Sequence, residues 1–166
     1  ENMGNASDSR IIYSAVTALF AAWFYMFGVV HVYQAFKPSK TLVKNIIFIC
    51  FAAITISYGV VHGAFVAIAT SSKLAIQNNL DLNESVLLAS EANNALRLLV
   101  YPIFGLLSVL FIYQVWKKNT LYPRWIILFF PLIPFLIQDF ICKNLSGNIW
   151  IIVCGGYLNH ILIIFF

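Results

Sequence analysis

The sequence predicts an all-α fold: a polytopic transmembrane helix bundle with five visible spans, at about 11–36, 45–70, 95–116, 125–141 and 149–166. Three observations predict it. Of 166 residues, 61% are hydrophobic and only 10% are charged, against about 25% charged in soluble domains. The apolar residues form unbroken runs, and a helix needs roughly 20 of them to cross a bilayer. The runs lack the period-two alternation of membrane β-strands. A mean hydropathy of +0.87 is too high for a water-soluble core of this size. The chain is expected to form a single membrane domain over 1–166, cut at one or both ends, because it opens without Met and closes on Ile163-Ile164-Phe165-Phe166 inside an apolar run.

The first ten residues are polar, and Asp8-Ser9-Arg10 reads as a cap. Span one follows, rich in alanine and aromatics, and carries Phe27-Gly28-Val29-Val30-His31. A loop with Lys37, Lys40 and Lys44 leads to span two, which carries the similar pentad Tyr58-Gly59-Val60-Val61-His62 and then Gly63. The two pentads are either a weak internal repeat or a coincidence within an apolar alphabet. Thr55, Tyr58 and His62 recur at steps of three and four, so they share one helix face. Gly59 and Gly63 form a small-xxx-small notch for a neighbouring helix.

Ser71 to Asn94 is the longest polar stretch and reads as a connection, with a helix start at Asn83-Glu84-Ser85 and Asn83 as N-cap. Span three contains Tyr101-Pro102, where a kink is expected. Span four contains Pro131 and Pro134, so its helix should be broken or bent. Span five opens near Gly155-Gly156.

The net charge of +4 is no nucleic-acid signature, because the basic residues sit in short loops, as topology determinants do. Loops 37–44 and 117–124 hold the lysine clusters and Arg124, whereas all the acids lie in the alternate segments. The lysine loops are therefore expected in the cytoplasm and the N-terminus of the segment outside. Asn5-Ala6-Ser7, Asn83-Glu84-Ser85 and Asn144-Leu145-Ser146 match the glycosylation pattern on the outer side, and an Asn-rich chain also matches by chance. Cys50, Cys142 and Cys154 fit no metal spacing; a Cys142–Cys154 disulfide is one arrangement that sequence alone does not decide. No metal site is expected, and no HExxH, CxxC, GxSxG or Walker motif is present.

Ionisable groups inside spans are costly and point to function. At about 1.5 Å rise per residue, His31 and His62 should stand roughly 15–20 Å apart along the membrane normal, which argues against one shared metal or haem iron. His62 has better company at the outer ends of its neighbours. The candidate ligand-binding set is His62, Tyr58, Glu91, Arg97, Asp139, Asn159 and His160, around an outer-half polar pocket for a small molecule or lipid. A histidine beside a carboxylate can move protons or hold a metal. Each member also has a structural reading: His62 as packing glue, the charged residues as solvated span ends, His160 as a buried polar contact. The chain is then a ligand-binding enzyme or carrier, or a structural or accessory subunit held to a partner membrane chain. A haem protein using His62 and His160 is the third reading. Pro123-Arg124-Trp125 reads as a helix start with an interfacial anchor, or as an arginine that grips a phosphate-bearing lipid.

Three segments carry a resemblance: Tyr58 to Phe65, Lys118 to Trp125, and Gly155 to Asn159. In order and context they resemble an uncharacterised family of bacterial polytopic integral membrane proteins, a domain of unknown function. The resemblance implies the bacterial inner membrane, an additional span before the first one here and chain beyond the last. It implies no activity, and His160 stands where the family has an apolar residue.

Overall fold

The computed structural model describes residues 4–133. They form three long helices, α1 (Asp8–Ala35), α2 (Thr41–Gln77) and α3 (Leu82–Trp116), followed by a short 3-10 helix, Arg124–Phe129. Among the described residues, these three α-helices are long and apolar enough to cross a membrane. Five spans were expected. The expected span at 125–141 opens as a 3-10 helix, breaks at Phe130-Pro131 and is helical again at 132–133; its part from 134 on, with the whole of 149–166, lies outside the described residues. The proline at 131 explains the early stop: the residue before a proline is pushed out of the α region, and Phe130 is extended at φ −60°, ψ 134°.

The helices also outrun their expected bounds. α2 continues seven residues past Thr70, and α3 begins thirteen residues before Ala95. Only Asn78 to Asp81 separate them, so the polar stretch 71–94 is mostly helix rather than connection. The hydroxyls there bond their own helix: Thr70 Oγ1 donates to the Val66 carbonyl (2.8 Å) and Ser72 Oγ to that of Ile68 (2.8 Å). Polar side chains that back-bond in this way stay compatible with helix. α2 ends where Asn79 takes a positive φ of 54° and the Leu80 N–H bonds the Ala75 carbonyl (2.9 Å), a helix stop in the left-handed region. α3 is capped by Asp81, whose Oδ1 accepts from the Glu84 N–H at 2.8 Å; the cap is Asp81, not Asn83. α3 continues as one helix through Pro102.

The chain packs as two compact units: Glu1–Phe27 with Cys50–Gly105, and Gly28–Ile49 with Leu106–Phe166. In the first, α1 and α2 run antiparallel. Ala22 Cβ lies 3.4 Å from where a Cβ on Gly59 would sit, so one glycine of the expected notch receives α1. Among the described residues, nothing lies within 4 Å of where a Cβ on Gly63 would sit. Farther along, Lys73 Nζ pairs with the Asp8 carboxylate and donates to the Ala6 carbonyl.

The second unit is built on rings. Phe36 meets Phe111 at 5.3 Å between centroids, Phe111 stacks on Phe130 at 4.5 Å, and Tyr122 touches both Phe36 and Phe111. The loop after α3 is tied beneath α1: the Leu121 N–H donates to the Ala35 carbonyl (2.8 Å) and Ser39 Oγ to the Asn119 carbonyl (2.6 Å). Burial pushes the Tyr122 phenol up to about 12.

Candidate functional site

Within the first unit, α1, α2 and the residues that lead into α1 enclose a half-open cleft of about 580 Å³. That size falls in the range of roughly 300–1,000 Å³ that ligand pockets occupy. Its polar lining is Asn5, Arg10, Ser14 and His62, and its apolar wall is mainly Ile11, Phe65, Val66 and Ala69.

Each polar group has a local reason for its place. Ser7 opens α1: its Oγ accepts from the Arg10 N–H (3.3 Å) and its carbonyl from the Ile11 N–H (3.2 Å). The helix cap is thus Ser7, one residue before the expected Asp8-Ser9-Arg10. Arg10 and Ser14 are four apart and share a face of α1. Asn5 and Ala6 are held over α2 by Lys73. Gly4 makes this close approach feasible, because a Cβ there would run into Ile76 Cδ1 and stand 3.2 Å from the Ser72 carbonyl oxygen.

His62 enters from α2. Its ring lies 4.7 Å from that of Tyr58 and 6.0 Å from that of Phe65, centroid to centroid, as i, i+4 and i, i+3 spacing on one face requires. The register set at Ala22 and Gly59 places Arg10 and His62 at different depths. Arg10 is twelve residues before Ala22 and His62 three past Gly59, so the two differ by roughly 13 Å along the helix axes. The cleft therefore runs from a guanidinium at its rim to an imidazole farther in.

Of the expected site residues, the structure brings His62 into the cleft and Tyr58 against His62. Glu91 and Arg97 are exposed on α3, and neither lines the cleft. Among the described residues, no hydrogen bond or ion pair joins His62 to a carboxylate; the ion pair there is Lys73 with Asp8. Asp139, Asn159 and His160 lie outside the described residues. Among the described residues, no group of three His, Cys, Asp or Glu side chains is gathered as a metal site would require. His31 is exposed on α1 and does not line the cleft.

Sequence reasoning missed Asn5, Arg10 and Ser14. One signal pointed to them: Lys73 is the lone cation of the stretch 71–94, and it found its partner at Asp8. Outside the cleft, Asn93 on α3 is 3% exposed, and its Oδ1 accepts no hydrogen bond among the described residues. At the end of α3, Arg124 Nε donates to the Trp116 carbonyl (2.9 Å) and its guanidinium lies 5.4 Å from the Trp116 ring centroid. A cation at that helix end satisfies a terminal carbonyl and suits the helix dipole.

A model described as a family of unknown function (DUF6796) matches residues 1–163. No curated protein and no solved structure matches the chain.

Proposed function

The chain belongs to this family of unknown function, and from that premise we propose that it is an integral membrane protein whose cleft around His62 binds a small molecule or lipid. The observation that carries the reading is the cleft: an imidazole and a guanidinium share one apolar-walled cavity of ligand size. A polar group within a membrane helix is costly unless it has work or a partner, and among the described residues His62 has the rings of Tyr58 and Phe65 beside it and no bonded carboxylate. The reading covers an enzyme and a carrier alike, with Tyr58 and His62 as the inner polar groups. Asp139, Asn159 and His160 belong to the wider ligand-binding set of this reading, as do Glu91 and Arg97, which stand outside the cleft lining.

The lysine asymmetry supports loops 37–44 and 117–124 in the cytoplasm; the bacterial inner membrane is what the family resemblance implies, and a bundle of five or more spans is what the apolar runs of the sequence support. In that orientation the cleft opens toward the outer face.

Native mass spectrometry of the detergent-purified protein tests the binding reading. The expected result is a bound mass that His62→Ala removes while the thermal midpoint stays within a few degrees. Unfolding of His62→Ala with no bound mass in the parent protein overturns the reading in favour of a structural or accessory subunit, in which His62 joins helices. A Soret band in the same preparation replaces it with haem ligation.

A further inference from the structure

We propose that the ligand of this cleft is a single-chain anionic amphiphile, its carboxylate or phosphate on Arg10 and its apolar body along Ile11, Val66 and Phe65 toward His62. The inference rests on the binding reading above and adds the chemical class.

Four observations lead to it. First, among the described residues the Arg10 guanidinium makes no ion pair, and the nearest carboxylate in sequence, Asp8, is held by Lys73. Residues two apart do not face each other on a helix, so Asp8 is also turned away from Arg10. Second, the positive charge is concentrated at the rim, where Arg10 and the N-terminal turn of α1 both favour an anion. Third, the wall between rim and imidazole is mainly apolar, with Ser14 as its polar exception: Ile11 on one side, Phe65, Val66 and Ala69 on the other. A small hydrated anion gains nothing from that wall, whereas an acyl or aryl chain does. Fourth, the depth difference of roughly 13 Å between Arg10 and His62 matches an elongated molecule lying along the helices. An imidazole at the inner end can hydrogen-bond a hydroxyl, carbonyl or ester oxygen on the body of the ligand, so a chain carrying such a group is favoured over a plain one.

The rim is assembled by tertiary contacts. Lys73 bonds the Ala6 carbonyl and the Asp8 carboxylate and so holds the segment that carries Asn5 and Arg10. Lys73 is a positioning residue: its removal should widen the rim and weaken every amphiphile, charged or neutral.

The test uses the full chain in phosphatidylcholine nanodiscs and displacement of a dansyl-labelled fatty acid. Probes are laurate, dodecyl phosphate, dodecanol, acetate and inorganic phosphate. Laurate or dodecyl phosphate should displace the label about tenfold more tightly than dodecanol, the factor expected for one charge-assisted contact. Arg10→Gln should erase that preference and leave dodecanol unchanged, Arg10→Lys should retain part of it, and Lys40→Gln, on the exposed loop, should retain all of it. Equal loss in Arg10→Gln and Lys40→Gln overturns the proposal in favour of general surface charge. Acetate or inorganic phosphate competing as well as the amphiphiles overturns it in favour of a free anion. Dodecanol and laurate binding alike, both lost in His62→Ala, overturns the anionic class and leaves the binding reading intact. No displacement by any probe overturns the class as well, and the native-mass measurement then decides the binding reading separately.

Discussion

At Gly4 the absence of a side chain is what lets the N-terminal segment lie on α2. A methyl there meets Ile76 Cδ1, which can rotate away, and the Ser72 carbonyl oxygen at 3.2 Å, which cannot. Gly4→Ala should therefore lift the segment and lower stability by about 1–2 kcal/mol, the usual cost of a small overpacking. A thermal-shift measurement reads this directly, and an unchanged midpoint refutes the close approach. Tyr122 offers a second test at the same scale. Its phenol ionises at 10.0 as a free side chain and at about 12 in the folded protein, through burial. Because the folded value is the higher one, the contribution is complete below pH 10 and is lost as pH rises through 12. Denaturant titrations should show a stability decline across that window that Tyr122→Phe removes, and absorbance near the phenolate band should show one fewer late-ionising tyrosine. His62 and Tyr58 were legible as residues because their spacing alone puts them on one helix face. Arg10 was not, because nothing in a single helix says which residues of another stand opposite.

At the scale of elements, the helix ends carry the most information. α2 and α3 both stop through a residue in the left-handed region, Asn79 at φ 54° and Lys118 at φ 59°. Each is followed by an N–H that reaches back to an earlier carbonyl: Leu80 to Ala75 at 2.9 Å and Asn119 to Gln114 at 3.0 Å. Asparagine tolerates that conformation, whereas lysine is strained in it. Lys118→Gly should thus stabilise the protein by about 0.5–1 kcal/mol, read as a rise in thermal midpoint, and Asn79→Gly should do less. The interior of each helix was readable from apolar runs and its ends were not. Residues 71–77 look like a loop by composition, yet Thr70 and Ser72 bond their own backbone and Lys73 reaches α1, so the helix persists. The proline at 131 acted in the other direction, and the segment expected as a fourth span starts as six residues of 3-10 helix.

For the molecule as a whole, large apolar side chains on all three helices face outward: Trp23, Phe24, Phe27, Ile49, Val60, Leu99 and Val109 are each about half to three-quarters exposed. In water such a surface would be costly, whereas a hydrocarbon phase accepts it. The protein should accordingly stay with the pellet after an alkaline carbonate wash of membranes and need detergent for release; appearance in the supernatant would contradict the membrane class. Within that surface the two packed units are held in different ways. The first joins its helices through small residues and one ion pair, Ala22 with Gly59 and Lys73 with Asp8. The second centres on Phe111, fully buried among Phe36, Tyr122 and Phe130.

Composition and run length by themselves determined that the chain is helical and suited to a bilayer, because burying or solvating that much apolar surface admits few alternatives. They also placed Tyr58 and His62 together, since helical periodicity is a local property. Only the tertiary structure decided what His62 faces. The antiparallel register of α1 against α2 sets Arg10 and Ser14 in its cleft and leaves Glu91 and Arg97 exposed elsewhere. That register is chosen by contacts such as Asp8 with Lys73, 65 residues apart, and no periodicity within one helix encodes a pairing made across two.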